Sequence, residues 1–198
     1  MRARIAVLAS GRGSNLQAIL DHLDRSSGAS YEVVAVISNK SDSGALQIAR
    51  KRNLTAKLID AREDADGAGL LALLRQERAE IVALAGYLKK IPEVVVSAFH
   101  RRVVNIHPAL LPLHGGEGMY GSRVHESVLA AGERESGATV HLVDSEYDRG
   151  AVIAQWRVPV LPGDSAQSLS KRVLDVEHIL YPRALEIVAA LHLASLNR

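Results

Sequence analysis

Uninterrupted aliphatic segments alternate along this chain with segments of helical periodicity. Arg4 to Ala9 and Val33 to Ser38 consist almost entirely of Val, Ile, Leu and Ala, a composition typical of strands buried on both faces of a sheet. Between them, Asn15 to Leu23 places apolar residues on one face of a 3.6-residue repeat. The chain therefore opens with a βαβ unit, in which two parallel strands are joined by a helix.

The same alternation continues through the rest of the chain. We predict helices over residues 44–52, 67–78, 92–99, 125–131 and 166–194, the last broken near Pro182, and strands over 56–59, 81–85, 103–106, 139–143 and 152–158. This order predicts an α/β fold: a Rossmann-like, mostly parallel twisted sheet with helices on both faces. The last two strands are close in sequence and predict an antiparallel pairing in the C-terminal half.

The length of 198 residues and the lack of repeats or linkers predict one domain over residues 1–198. Residues 1–100 would form its nucleotide- or phosphate-binding half, and residues 101–198 its catalytic half. The chain has no cysteine, which excludes disulfides and thiolate metal sites and favours a reducing cytoplasm. A net charge of +2 is no argument for nucleic acid, and we find no run of the ~20 apolar residues that would span a membrane.

A glycine-containing loop, Ser10 to Asn15, separates the first predicted strand from the first helix. Glycines permit a sharp turn, and the free N–H groups at the following helix start attract a phosphate. The loop lacks the third glycine of a dinucleotide fingerprint and the Lys-Ser/Thr ending of a P-loop. The alternative is a plain turn in which Ser14 or Asn15 caps the helix.

A second segment, Asn105 to Pro112, brings two polar side chains to the end of a buried strand. Asn105 and His107 stand at i and i+2 and so share one face, at the carboxyl edge where open α/β sheets bind ligands. An amide and an imidazole there can stabilise one oxyanion. Either side chain could instead be a structural hydrogen-bonding residue.

Two acidic segments are the remaining candidates for a functional site. The turn Asp144 to Gly150 is either a solvated hairpin loop or the source of a carboxylate that reaches His107 and raises its pKa toward the imidazolium; the residues alone do not choose among its acids. Glu177, in the last helix, is either surface decoration or a ligand-binding carboxylate.

These segments together resemble the folate-dependent formyltransferases over essentially the whole chain, and in particular the branch that acts on glycinamide ribonucleotide. The resemblance rests on residues 11–18, 84–87, 105–112, 148–150 and 177–182. It implies transfer of the formyl group of 10-formyltetrahydrofolate to the amine of glycinamide ribonucleotide, giving N-formylglycinamide ribonucleotide and tetrahydrofolate in purine synthesis. It implies that residues 101–198 also bind the folate. It further implies small-molecule partners without nucleic acid or membrane, no metal, a cytoplasmic location, and a monomer or homodimer.

The resemblance also implies a role for each matching residue. Asn105 would donate to the oxyanion, His107 would stabilise it and move a proton, and Asp148 would keep His107 charged. Gly13, Ser14 and Asn15 would hold the substrate phosphate, and Glu177 the ribose hydroxyls. The folate would be bound by Arg62, Leu88, Lys89, Lys90, Ile91, Asn105, Asp144, Ser145, Glu146, Tyr147 and Asp148.

The chain departs from the commonest family pattern in two places. Arg149 and Gly150 replace the two glycines that often follow the aspartate, and residues 114–120 are richer in glycine than usual. The rival activities are a formyltetrahydrofolate deformylase, which uses water in place of the amine, a methionyl-tRNA formyltransferase, and a phosphate-sensing binding module. We do not expect the additional N-terminal domain of a deformylase, since the first strand begins near Arg4. We also do not expect the additional C-terminal tRNA-binding domain of a methionyl-tRNA formyltransferase.

Overall fold

The computed structural model describes residues 1–60 and 64–196, and within them seven strands form one sheet. The strands are β1 Ala3–Leu8, β2 Tyr31–Ser38, β3 Thr55–Leu58, β4 Ile81–Leu84, β5 Val103–His107, β6 Glu135–Leu142 and β7 Val152–Pro159. Their order is β3-β2-β1-β4-β5-β6-β7. β1 to β5 are parallel, and β6 runs antiparallel to both β5 and β7. The predicted fold class is confirmed.

Helices follow most of the strands. They are α1 Ser14–Arg25, α2 Gly44–Lys51, α3 Ala68–Gln76, α4 Glu93–Ala98, α5 Ser122–Ala130 and α6 Ala166–Leu196. Each predicted helix is present, but the predicted break near Pro182 is wrong: α6 continues through it. The missing N–H of Pro182 removes one helical hydrogen bond, but Tyr181 and Leu185 on either side are fully buried, and their packing keeps the helix continuous.

Apolar side chains cover both faces of the sheet. β1 shows why: Ile5 and Val7 belong to one buried cluster, and Ala6 and Leu8 to the other, because successive side chains of a strand point to opposite faces. The first cluster is closed by α1 and α6, and the second by α3 and α4. Burial on both faces fixes the strand register, since a slip by one residue would exchange the two faces.

α6 is long and apolar enough, by length and composition alone, to cross a membrane, which the expectation from the sequence missed. Its inner face contributes Leu169, Val173, Tyr181 and Leu185 to the core. A helix can reach the same hydropathy because its apolar stripe packs on a sheet inside the protein.

The strand order reverses between β1 and β4, with β2 on one side of the pair and β5 on the other. At such a point the loops leaving the two central strands turn apart and open a crevice at the carboxyl edge of the sheet. The antiparallel pairing adds a further wall there, since it sets Asn105 of β5 opposite His141 of β6.

Candidate functional site

The loops that follow β1 and β4 are tied together by Ser10. Its N–H donates to the carbonyl of Gly86 at 3.0 Å, and its Oγ accepts from the N–H of Leu88 at 3.0 Å. The same hydroxyl donates to Asn39 Oδ1 at 2.6 Å. These bonds fix the segment after β4, which carries the predicted folate-binding residues, against the glycine loop.

Gly13 is the residue from which α1 starts. It has φ 85°, a left-handed conformation that favours glycine, and a Cβ would lie 2.9 Å from the Cα of Ala45. Among the described side chains, none caps this helix. The alternative in which Ser14 or Asn15 is the N-cap is therefore wrong, and the first N–H groups of α1 are left for another acceptor.

Asn15 and Glu177 meet across the fold. Asn15 Nδ2 donates to Glu177 Oε2 at 2.7 Å, and both side chains are buried. Asn15 Oδ1 is also buried and has no hydrogen-bond partner among the described residues. Burial raises the pKa of Glu177 to about 7, although the Asn15 amide opposes this shift. Glu177 is therefore not surface decoration, and this end of the site titrates near neutral pH.

The end of β5 carries Asn105 and His107 into the same cleft, as the strand periodicity predicts. His107 is 3% exposed, and its Nε2 lies 2.8 Å from the carbonyl oxygen of His114. A carbonyl can only accept, so Nε2 carries a proton and donates it. Nδ1 is then the nitrogen that faces the rest of the site.

Asp148 is the acid of the 144–150 turn that reaches this nitrogen. Its Oδ2 lies 3.4 Å from His107 Nδ1 and accepts from the N–H of Gly116 at 3.0 Å. Burial raises the pKa of Asp148, but the His141 ring, His107 and the Gly116 N–H together lower it below its usual value. The carboxylate is thus held ionised beside the imidazole.

The pKa of His107 differs from the expectation that a nearby carboxylate would raise it. Burial is the largest influence and lowers the pKa of His107; Asp148 and the His114 carbonyl raise it, and the nearby His141 and His114 rings lower it again. The net pKa is lowered. Asp148 does raise the pKa of His107, as predicted. The predicted net rise is wrong, because desolvation of the ring outweighs the ion pair.

The turn that carries Asp148 tolerates the replacement of a glycine by Arg149. Asp148 itself has φ 56°, and Arg149 is exposed. A Cβ on Gly150, in contrast, would collide with the carbonyl of Leu142. Gly150 is therefore the position that needs glycine, and with Arg149 in the turn Asp148 Oδ2 still lies 3.4 Å from His107 Nδ1.

One cleft collects most of the predicted site residues. Its lining includes Asn15, Leu88, Lys89, Lys90, Ile91, Asn105, His107, Asp144, Glu146, Tyr147, Asp148 and Glu177. Ser145 instead lines a neighbouring groove beside α4, and Gly13 and Ser14 lie behind Asn15 at the start of α1. Arg62 lies outside the described residues. Within residues 1–60 and 64–196, no three His, Asp or Glu side chains are grouped to hold a metal ion.

The cleft also contains residues that sequence reasoning missed. His141 lies 3.1 Å from Asn105 Nδ2 and 3.4 Å from Asp148 Oδ1, both measured from its Nε2. Gly86, Tyr87, Met119, Tyr120 and Gly121 also line the cleft. His141 has a signal in the sequence, since it is a polar residue in the next predicted strand along the chain after the Asn105 strand. Its register with Asn105 depends on a strand pairing that the sequence does not state.

Comparisons with known proteins agree with this site. The formyl transferase family model matches residues 3–185. A chloroplastic phosphoribosylglycinamide formyltransferase of Arabidopsis thaliana is 43% identical over 196 residues, which cover 96% of this chain and 65% of that protein. The chain thus spans slightly less than two thirds of the length of that relative.

Solved structures extend the likeness to three dimensions. Glycinamide ribonucleotide transformylase 1 from Symbiobacterium toebii matches with a TM-score of 0.89 at 36% identity, covering 96% of this chain and 88% of that one. A formyltetrahydrofolate deformylase from Pseudomonas syringae matches with a TM-score of 0.83 at 25% identity, covering 96% of this chain and 62% of that one. The resemblance seen in the sequence is confirmed, and the chain belongs to the formyl transferase family.

Proposed function

We propose that this chain transfers the formyl group of 10-formyltetrahydrofolate to the amine of glycinamide ribonucleotide in purine synthesis. The observation that carries the proposal is the convergence of Asn105, His107 and Asp148 in a cleft whose wall also contains Asn15 and Glu177. One region offers groups for acyl transfer, and the other offers a buried carboxylate and a free helix start. A phosphorylated sugar that carries an amine can use both.

The nucleotide lies at the Asn15 side. The uncapped N–H groups that follow Gly13 receive the phosphate, in the manner of anion sites at helix starts. Glu177 accepts hydrogen bonds from the ribose hydroxyls, and Asn15 Oδ1, which no described residue pairs, supplies a further acceptor. A buried polar atom without a partner is costly, so a hydroxyl donor there is favoured.

The folate lies at the other side. Leu88 to Ile91 follow β4, and the exposed residues Asp144, Glu146 and Tyr147 face them across the cleft. The ammonium of Lys90 lies 5.4 Å from the centre of the Tyr147 ring, a cation–π contact that joins the two walls. Folate binding by Ser145 and Arg62 is proposed from the family resemblance alone.

The reaction is a direct acyl transfer. The substrate amine attacks the formyl carbon, and a negative charge develops on the formyl oxygen. Asn105 donates an N–H to that oxygen, and the charge favours protonation of His107, which raises its pKa at the moment when a cation is useful. Asp148 stabilises that imidazolium. As the bond to the folate nitrogen breaks, that nitrogen takes a proton, and the former amine loses one.

The deformylase activity is the second candidate, since water could attack the same carbon. The amine-using activity is favoured because the Arabidopsis relative named for it is 43% identical, whereas the deformylase structure is 25% identical. The Asn15–Glu177 site also has a use only if a nucleotide binds.

We also propose that residues 1–198 act as one unit, monomeric or homodimeric, on small molecules without nucleic acid, membrane or metal. A cytoplasmic location is part of this proposal. The relatives in Arabidopsis thaliana and Vigna unguiculata are named as chloroplastic proteins.

The test is product identification by mass spectrometry after incubation with 10-formyltetrahydrofolate and glycinamide ribonucleotide. We expect formylated ribonucleotide in an amount equal to the tetrahydrofolate released. Free formate in place of that product would support the deformylase.

A further inference from the structure

His141 is a buried histidine that contacts two of the three residues proposed for catalysis. It is 1% exposed. Its Nε2 lies 3.1 Å from Asn105 Nδ2 and 3.4 Å from Asp148 Oδ1. The contact with Asn105 is the shorter of the two, and at the longer distance the His141 ring still lowers the pKa of Asp148, so Asn105 is the nearer of two partners.

Two features hold the His141 ring in place. The antiparallel register pairs His141 directly with Asn105, and Nδ1 lies 2.8 Å from the carbonyl oxygen of Leu142. Because a carbonyl only accepts, Nδ1 carries the proton. In the neutral ring this leaves Nε2 as an acceptor, able to receive one N–H of the Asn105 amide.

The Asn105 amide has a nitrogen end and an oxygen end of nearly the same shape. Rotation about its last side-chain bond is soft, so a hydrogen-bonding partner must decide which end is presented where. An acceptor at His141 Nε2 selects the amide nitrogen on that side. One N–H is then engaged by His141, and the second N–H remains for the formyl oxygen.

We propose that His141 is a positioning residue that orients the Asn105 amide for oxyanion stabilisation. The inference rests on the proposed function, because it assigns Asn105 the oxyanion. Without the acceptor, the amide also samples the rotamer that turns its oxygen toward the developing negative charge. That arrangement loses the donor and adds repulsion.

The test is a double-mutant cycle of His141→Phe with Asn105→Ala, measured as steady-state formyl transfer. Phe keeps a planar ring and removes the acceptor. In the wild-type background we expect kcat to fall on the order of 10-fold to 100-fold, less than or at most equal to the loss from removing the oxyanion donor itself, with KM for both substrates within about threefold. In the Asn105→Ala background we expect little further loss, because residues that act through one another are not additive.

Two further variants sharpen the result. His141→Gln offers a carbonyl acceptor and should recover part of kcat. His22→Phe, at the histidine that stacks on Tyr31 away from the cleft, should leave kcat unchanged. An equal loss from His141→Phe in both backgrounds, or no loss in either, would overturn the inference.

The side-chain amide signals of Asn105 in a ¹H–¹⁵N spectrum give a readout that needs no turnover. His141→Phe should shift them strongly while most backbone signals stay in place, and unchanged signals would overturn the inference. A wild-type protein that transfers no formyl group would instead contradict the proposed function, so the two failures are distinguishable.

Discussion

The buried amide of Asn15 donates a 2.7 Å hydrogen bond to the carboxylate of Glu177, joining the first turn of α1 to the middle of α6. The pKa of Glu177 is nevertheless raised to about 7, because burial opposes the charge more than one amide supports it. The nucleotide side of the cleft therefore contains a carboxyl group whose ionisation costs folding free energy.

Glu177→Gln should stabilise the fold at pH 8 and have little effect at pH 4. The folded pKa of about 7 lies above the ordinary value of 4.5, so the folded state binds more protons and stability falls as pH rises between these values. Gln keeps an oxygen for Asn15 and removes the charge. We expect a gain of about 1–3 kcal/mol at pH 8, measured by urea unfolding. A gain that is equal at both pH values would contradict the shifted pKa.

Asp148→Asn should lower the pKa of His107 further. The carboxylate raises that pKa against the larger effect of burial, so its removal leaves desolvation less opposed. An NMR titration of the His107 ring measures this directly. Asp144→Asn, on the same turn but exposed, is the matched control and should shift the His107 pKa less. A rise in the His107 pKa on losing Asp148 would contradict the ion pair.

Tyr181→Phe should destabilise the protein by about 1–2 kcal/mol. The Tyr181 hydroxyl lies 3.0 Å from the carbonyls of Leu84 and Val104, at the point where β4 and β5 deliver residues to the cleft. Tyr31→Phe is the matched control, since Tyr31 is equally buried but its hydroxyl lies 3.5 Å from the Pro182 carbonyl. Chemical denaturation of both variants should show the larger loss for Tyr181, and equal losses would contradict this role.

Asn105→Ala should reduce kcat by on the order of 10²-fold or more, as expected for a lost oxyanion donor. KM for both substrates should change little, because the interaction forms in the transition state. Steady-state kinetics at saturating folate measures both constants. A rise in KM with kcat preserved would instead make Asn105 a ground-state binding residue.

The local sequence pattern was sufficient to predict the fold, because each strand and helix has its own hydrophobic periodicity. The central strands are apolar on both faces, and α1 shows its apolar stripe at Leu16, Ile19 and Leu20. Pattern failed at Pro182, where helix continuity depends on packing against Tyr31 and the sheet, contacts made by residues distant in sequence.

The functional site likewise combines residues that local sequence pattern predicts with features that depend on the assembled fold. Asn105 and His107 could be paired from strand alternation alone. His141 could not be added, because its position depends on the β5–β6 register, and the net pKa of His107 could not be predicted, because burial is a property of the assembled core.

Amine-dependent formyl transfer in this cleft can be followed as the rate of tetrahydrofolate release from 10-formyltetrahydrofolate. The rate should be measured with and without glycinamide ribonucleotide, for the wild type and for His107→Ala. We expect release that requires the amine and collapses in the variant. Release at the same rate without the amine, or undiminished release by the variant, would contradict formyl transfer at this site.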